Sequence, residues 1–540
     1  MANPPAPDMV QNKGILGWIE RTGNRLPDPV FIFFYLMAGL IAISVLCAMF
    51  GLAVEHPTQL DDNGNPVIIK AVSLFSAENL NRLIVQMPAT FTHFHPLGYV
   101  LVVMLGAGVA ERTGLFSAAM RGSISKAPHF LLTPMVALVA MIGNHAADSA
   151  YVVLIPLAGV IFAAAGRHPI AGITAAFAGV SGGFSANIFP GQLDALLFGI
   201  TETTVQALVP DWTVNLAGNW YFIAAMTLVF LPVIWFVTDA IVEPRLGKWS
   251  DHGAANSEDT DRQDLNAGER KGLMMAGLGL LMVIAIWALL STDVLAMVTG
   301  GAASLWGGNI PLIDESATGP GRLTPFYRSL VAGFLLLFLV AGWLYGAAAG
   351  TVKSHRDVVE MMAGAMKDLG YYLVLAFAAA HFVALFNWSN LGIIFAVNGA
   401  HALEASGLPL PILMGLMVIF TGIANLFVGS ASAKWALLAP VMVPMMMLLG
   451  VSPEMATATY RVGDSATNII TPLMVYFPLI LVFAQRWQPE FGLGSLTAAM
   501  VPYSIWLMIV GVALTVAWVY LGWPLGPGAE VHYTLPAMNP

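Results

Sequence analysis

The sequence predicts an all-α polytopic membrane protein, with about nine transmembrane helices plus two re-entrant hairpins arranged as inverted-topology repeats. Three observations carry that reading. The first is composition. Of 540 residues, 58% are hydrophobic and 10% are charged, with a mean hydropathy of +0.76. A soluble chain carries about 25% charged residues, so 22 Lys+Arg and 31 Asp+Glu cannot solvate a surface of this size. That excludes an ordinary soluble enzyme, and a disordered chain would need the opposite composition. The second is run length. The apolar runs are long and continuous, as helices crossing in ~20 residues require, and lack the ~10-residue alternation of a membrane barrel. The third is punctuation: two apolar stretches are broken midway by small polar residues, and the breaks recur in the second half. The single Cys47 excludes a disulfide framework or a cysteine-rich metal site. A net charge of −9 argues against nucleic acid as a partner.

The elements follow in chain order. Residues 1–28 are polar and read as a cytoplasmic N-terminus. They do not read as a cleaved signal, because the apolar run Pro29 to Ala53 exceeds the ~7–15 residues of a signal core. Spans are expected at about 29–53, 96–112, 169–200, 217–243, 272–291, 327–349, 370–395, 453–480 and 497–522. Residues 128–166 and 407–450 do not fit as single spans. Each is interrupted, at Gly143-Asn144-His145-Ala146-Ala147-Asp148-Ser149 and at Asn425-Leu426-Phe427-Val428-Gly429-Ser430-Ala431-Ser432. Irregular backbone at membrane depth is tolerated only inside protein or beside water, so both are expected to be re-entrant hairpins; two pairs of ordinary spans are the alternative. The remaining pieces are an outer loop at 54–92, an interfacial helix at 113–127, a charged cytoplasmic linker at 244–271 and an external tail at 523–540. Helices over 272–349 read as a scaffold. Lys and Arg concentrate on one side, with Arg21, Arg112, Lys126, Arg167, Arg245, Arg270, Lys353 and Arg486 among them, which places the N-terminus inside. The bias fixes parity and leaves open whether the hairpins stop halfway.

At a shift of 284 residues Pro156 falls on Pro440, Pro169 on Pro453, Gly179 on Gly463 and Ser181 on Ser465. A three-residue slip then sets Asn187 on Asn468. The first hairpin opens to the cytoplasm and the second to the outside, so the repeats are inverted. Inverted repeats with broken helices are the signature of a secondary transporter whose site lies near the midplane.

The stretches Gly429–Trp435, Tyr460–Asn468 and Thr471-Pro472, with Gly143–Ala150, Ser185-Ala186-Asn187 and Asp194, resemble the AbgT family of bacterial p-aminobenzoyl-glutamate transporters over nearly the whole chain. The resemblance implies a homodimer in the bacterial cytoplasmic (inner) membrane, each protomer split into a scaffold and a mobile transport unit. It implies a small anionic aminobenzoyl-glutamate as substrate, and in some members export of sulfonamide antimetabolites. It also implies substrate-site positions at Asp194, Asn425, Ser432, Trp435, Pro453, Arg461, Asp464 and Pro472.

The residues themselves support a site. Ionisable groups at membrane depth are few and usually functional: Asp148, Asp194, Lys434, Arg461 and Asp464, with His145 and His381. Arg461 and Asp464, three apart on one helix, are either a self-neutralising pair or an arginine fork for a ligand carboxylate aimed by Asp464. Lys434 could meet the anion, pair with Asp194 or Asp464 as a gate, or snorkel. Trp435 offers a face for an aromatic ring or packs. Asp194 is a proton or ion carrier, or a partner for Lys434. His145 and His381 read as packed or hydrogen-bonded. Asn144, Ser149, Ser185 and Asn187 form one neutral oxygen set; Ser430, Ser465 and Asn468, with Asn425 and Ser432, form its counterpart. Such sets suit a hard cation, so Na⁺ is the expected coupling ion with H⁺ as alternative; helix capping is the structural reading of the same residues. A di- or tricarboxylate transporter of similar architecture is the rival function. No His-Glu-x-x-His helix points to an intramembrane enzyme, and an inverted repeat within one chain does not suit a channel.

Overall fold

The computed structural model describes residues 28–535 except 61–64, 125–127, 147–149, 248, 250–264, 302, 308, 318–321, 472, 473 and 475. Its elements are α1 (Pro29–Met49), a hairpin of β1 (Ala53–Leu60) and β2 (Pro66–Lys70), α2 (His95–Arg112), α3 (Leu115–Ile124), α4 (Leu132–Ile142), α5 (Ile155–Ala164), α6 (Pro169–Phe177), α7 (Gln192–Val205) and α8 (Trp220–Phe236). The second half holds α9 (Ala267–Ser291), α10 (Thr324–Ala349), α11 (Gly370–Trp388), α12 (Leu391–Ala405), α13 (Leu410–Asn425), α14 (Ala431–Leu448), α15 (Pro453–Thr467), α16 (Phe477–Gln485) and α17 (Leu493–Leu521). Short surface helices at Ala77–Val85 and His355–Asp368 are unlabelled.

The helices start and stop where local chemistry dictates. Asp28 caps α1 by accepting from Val30 N at 2.8 Å, with Pro29 at the first position. Asn266 and Glu269 form a capping box on α9. Gly350 and Gly522 end α10 and α17 in the left-handed region, at φ 86° and 63°.

Among the described residues, seven helices are long and apolar enough to cross a membrane, or up to eight if the bent pair Pro96–Arg112 and Leu115–Ser123 counts as one span. The two expected spans at 169–200 and 453–480 escape a length criterion because each is two pieces. After α6 a π turn runs Ala178–Gly182 and the chain is irregular until α7. After α15 the described residues carry no helix until α16. The expected span 370–395 is also interrupted. Asn390, in the left-handed region at φ 60°, separates α11 from α12, and its side chain donates to Lys70 O at 2.9 Å. An Asn can take that backbone and fix it with its own amide.

The repeat is visible in the packing. Each half has the order helix, shorter bent helix, hairpin, broken helix: α2-α3-α4/α5-α6/α7 and α11-α12-α13/α14-α15/α16. Gly179 lies against Ala140 and Ala137 of α4, and Gly463 lies against Thr421 and Val418 of α13. Ala137 and Thr421 are themselves 284 residues apart. At both places the broken helix touches the first arm of its own hairpin so closely that a Cβ has no room. The arms of the first hairpin run Leu132–His145 and Ala150–Ala164, counting the 3-10 turn and the π turn at the tip, and both are shorter than a spanning helix. Those of the second have 16 and 18 residues, and α14 alone passes as a candidate span.

α9 and α10 form a separate layer against α2. Gly272 and Gly279 face Tyr345 and Leu344, and Gly342 meets the Ala110 backbone. Small residues at such crossings let helices approach without a hydrophobic drive. The 523–535 tail is tied down: Leu525 O accepts from Tyr221 N at 2.8 Å and Phe222 N at 3.1 Å, and Val531 O accepts from Ser452 N at 2.9 Å. It covers orphan donors at the start of α8 and the corner before α15.

Candidate functional site

Four segments converge: the irregular stretch before α7, the last residue of α13, the first turn of α14, and α15. Every residue of α15 from Pro453 to Thr467 is buried, including its charged ones. A helix buried all round needs partners for its polar groups, and Arg461, Asp464 and Ser465 find theirs on neighbouring segments.

Asp194 is the third residue of α7. One carboxylate oxygen accepts from Gly191 N at 2.7 Å, and the other accepts from Arg461 Nη1 at 2.6 Å. Lys434, in the first turn of α14, donates from Nζ to Asn425 Oδ1 at 2.6 Å and is ion-paired with Asp464. Asn425 Nδ2 lies 2.9 Å from Asp464 O, Thr467 Oγ1 and Asn468 Oδ1. The four charges therefore form two buried pairs, Asp194–Arg461 and Asp464–Lys434. Two expectations are corrected. Asp464 does not aim Arg461, and Asp194 does not partner Lys434. Both acids choose a cation on another segment. Asp194 is already fixed by a backbone N–H, and Lys434 would otherwise be an uncompensated buried charge.

Arg461 has 0% exposure, yet only Nη1 is engaged; Nε and Nη2 are buried without a hydrogen-bond partner among the described residues. A guanidinium with two idle donors in a dry site is costly unless an acceptor arrives.

Trp435 is enclosed. It too has 0% exposure, its ring stacks on Tyr460 at 4.4 Å and 27°, and Nε1 donates to Thr201 Oγ1 at 3.0 Å. Thr201 in turn meets Thr457 Oγ1 at 2.9 Å, and Tyr460 OH donates to Ala431 O at 2.6 Å. In this conformation the Trp435 face is occupied by Tyr460. Its role as a free plate for a ligand ring is not what the geometry offers; it pins α14 to α7 and α15.

The first oxygen set comes together in part. Asn144 Nδ2 donates to Met141 O at 3.0 Å and to Gly183 O at 3.2 Å, which joins the first hairpin tip to the break. Ser185 N donates to Ser465 Oγ at 3.0 Å, so the first break touches the last turn of α15. Asn187 Nδ2 lies 3.4 Å from Phe184 O, and its Oδ1 is buried without a partner among the described residues. In the second set Ser430 caps α14, lies 3.3 Å from Ser432 Oγ, and does not reach Ser465 or Asn468 by any hydrogen bond among the described residues. Lys434 Nζ lies against one member of that set, Asn425 Oδ1. Pro453 begins α15 behind its Ser452 cap, about two turns from Arg461. Asp148, Ser149 and Pro472 lie outside the described residues.

His381 bonds Phe377 O through Nδ1 at 2.7 Å and is a packed residue, as expected. His145 packs on Gly191, the residue whose N–H holds Asp194. Sequence reasoning missed Tyr460, Thr201, Thr457 and Thr467. Tyr460 had one signal, its place beside Arg461; the threonines had none, because a lone Thr on an apolar helix usually bonds its own backbone.

The chain matches the model of the AbgT putative transporter family over residues 14–533. It is 35% identical over 529 residues to the p-aminobenzoyl-glutamate transport protein of Escherichia coli (strain K12), covering 98% of this chain and 99% of that one. Two solved structures are similar along nearly the full length. The Alcanivorax borkumensis YdaH transporter, described as having an unusual topology, aligns with a TM-score of 0.82 at 40% identity, over 93% of this chain and all of that one. Neisseria gonorrhoeae MtrF, described as illuminating a class of antimetabolite efflux pumps, aligns with a TM-score of 0.84 at 41% identity, over 96% and 100%. A chain with two hairpins, two broken helices and four buried charges at their meeting point, matched at this length and identity, belongs to the AbgT putative transporter family.

Proposed function

We propose that the protein is a secondary transporter of p-aminobenzoyl-glutamate or related aryl-amide anions, with sulfonamide antimetabolites as further cargo. The single observation that carries the reading is Arg461, wholly buried with Nε and Nη2 unpaired beside Asp194. Those two donors are one side of the fork that takes a carboxylate, and Asp194 holds the third nitrogen so that the fork is aimed. Transport follows an elevator-like alternating access, in which the hairpins and broken helices move against the α9–α10 layer. The functional unit is a homodimer in a bacterial inner membrane, N-terminus inside and C-terminus outside.

Coupling falls to Na⁺ at the first oxygen set. The unpartnered Asn187 Oδ1, and an Asn144 whose amide nitrogen is spent on backbone carbonyls, leave oxygens for a hard cation. H⁺ is the alternative, with Asp194 or Asp464 as carrier. Transport that follows a pH gradient and ignores replacement of Na⁺ by choline would select it. The enclosure of Trp435 favours keeping a second reading, a di- or tricarboxylate transporter, because no free aromatic plate selects a benzoyl ring. Counterflow of labelled p-aminobenzoyl-glutamate in proteoliposomes tests the proposal. Efficient counterflow, with no competition by excess succinate or citrate, supports the aryl amide. No counterflow of it, together with exchange of a dicarboxylate, supports the rival.

A further inference from the structure

We infer that the seam between α7 and α11 holds a second recognition site, one for the uncharged arylamine end of the substrate; the inference rests on the transport reading above. A cavity of about 330 Å³ lies between the last turn of α7 and the joint of α11 with α12, open on one side. That is room enough for a substituted benzene ring. Thr203 and Gln206 line it from α7, Phe386 and Asn387 from α11, and Asn390 and Ile393 from the joint. It stands apart from Arg461: Thr203 is nine residues beyond Asp194 on α7, about 14 Å along the helix.

The polar groups of the wall have one sense. Thr203 Oγ1 donates to Gly199 O at 3.0 Å, Gln206 Nε2 to Trp212 O at 3.1 Å, and Asn390 Nδ2 to Lys70 O at 2.9 Å. Backbone carbonyls thus engage the donor ends of these three side chains, and their oxygens, which a carbonyl cannot use, remain as acceptors. Asn387, the fourth, brings an amide that can present either end. No charged side chain lines the cavity among the described residues. A carboxylate would meet no cation here, and an alkylammonium no anion, so each would lose hydration without return. A neutral donor on a flat ring suits the wall: its N–H groups meet the oxygens and its ring lies against Phe386 and Ile393. An amine on a benzene ring, para to a carbonyl or sulfonyl, is such a group, because its lone pair is drawn into the ring and it stays uncharged at neutral pH. p-Aminobenzoyl-glutamate and the p-aminobenzenesulfonamides share that end, and a simple dicarboxylate lacks it. The site therefore supplies the selectivity that the enclosed Trp435 does not offer. Nearer the charge cluster, between the same two helices, lies a crevice of about 10 Å³, about the room of one water, with Ile200 of α7, Ala379 of α11 and Ser432 of α14 on its walls. It puts the cavity in line with Ser432.

Two or three neutral hydrogen bonds in a half-open site give a Kd of about 1 mM, so the readout is protection of a cysteine rather than calorimetry. Ala207→Cys, on the wall of the cavity, is made in a Cys47→Ser background, and the purified full-length protein is reacted with N-ethylmaleimide. p-Aminobenzamide, which has the arylamine and no carboxylate, is expected to slow the reaction saturably. p-Toluamide, with a methyl group in place of the amine, is expected to need about tenfold more or to fail. Protection is expected to persist with Arg461→Ala added. It is expected to weaken about threefold or more with Thr203→Val, which keeps the shape and loses one acceptor. Ile393→Cys repeats the series if Ala207→Cys does not fold. Folded protein whose cysteine is unreactive at both positions, equal protection by the two amides, or protection that Arg461→Ala abolishes would each overturn the site. Counterflow of p-aminobenzoyl-glutamate without protection by p-aminobenzamide removes the site and leaves the transport reading; protection without counterflow removes the transport reading and supports the arylamine site.

Discussion

Cutting the Asp194–Arg461 pair should cost far more than cutting a surface ion pair. Asp194→Ala removes the one group that engages Arg461. Because Nε and Nη2 already lack partners, the guanidinium would be left buried with no acceptor at all. Breaking a buried pair from one side costs about 3–5 kcal/mol, against about 0.2–1 kcal/mol for an exposed pair. For a chain of 540 residues that corresponds to a Tm loss of about 3–4 °C. Arg461→Met strands Asp194, though less severely, because Gly191 N still donates to it. Asp194→Leu/Arg461→Met removes both charges and should recover most of the loss, since an apolar pair of similar volume replaces a buried salt bridge at little cost. The double-mutant cycle is read by thermal unfolding in detergent at constant salt, with a coupling energy of about 3 kcal/mol expected. A coupling below about 1 kcal/mol would mean that water reaches the pair, and the dry-site argument for Arg461 would fail with it.

Further outcomes follow from single contacts. Gly463→Ala sets a Cβ onto Thr421 Oγ1 and the Val418 carbonyl, both rigid, so it should abolish folding or shift Tm strongly, with Gly179→Ala milder because its added Cβ would stand 2.5 Å from Ala140 Cβ and 2.8 Å from Ala137 O. Tyr460→Phe keeps the stack on Trp435 and loses only the bond to Ala431 O, about 1 kcal/mol, whereas Trp435→Ala empties a closed site and should cost about 3–5 kcal/mol. In a Cys47→Ser background, probes near Arg167 should react only from the cytoplasm and probes near Val451 only from outside; opposite accessibility for the two ends of one hairpin would show that it spans. Burial pushes the His168 ring down from its usual range, against a smaller upward pull from Glu243. The folded protein therefore lags the unfolded chain in taking up a proton. Stability should be whole above about pH 6.5 and fall as pH drops below it, and His168→Gln should flatten that acid limb in a Tm-against-pH series.

How much was legible in the sequence varies with the kind of signal. Spans, hairpins and the repeat rest on apolar runs and their punctuation. The correspondence of Gly179 with Gly463 returned as the same close contact with the hairpin arm. The break at Asn390 was hidden because α11 and α12 are both apolar, and only the αL backbone of one residue divides them. The members of the charge cluster were legible, since a charge at membrane depth stands out. Its pairing was not. Spacing three apart on α15 suggested Arg461 with Asp464, but pairing is decided by which helices meet, and α7 and α14 present Asp194 and Lys434 from far away in sequence. Trp435 shows the same limit. Composition could place an aromatic at the tip, but only packing shows that Tyr460 already covers it.

The claim that Arg461 holds the ligand carboxylate is tested most directly by titrating p-aminobenzoyl-glutamate into purified Arg461→Ala by calorimetry, with Arg461→Lys and wild type alongside and elution volume as the folding control. The account predicts saturable binding to wild type. It predicts a loss of about tenfold or more in Arg461→Lys, which keeps the charge without the fork, and no measurable binding in Arg461→Ala. Arg461→Ala that stays folded and binds as well as wild type would contradict it, and would leave the two buried ion pairs as structure alone.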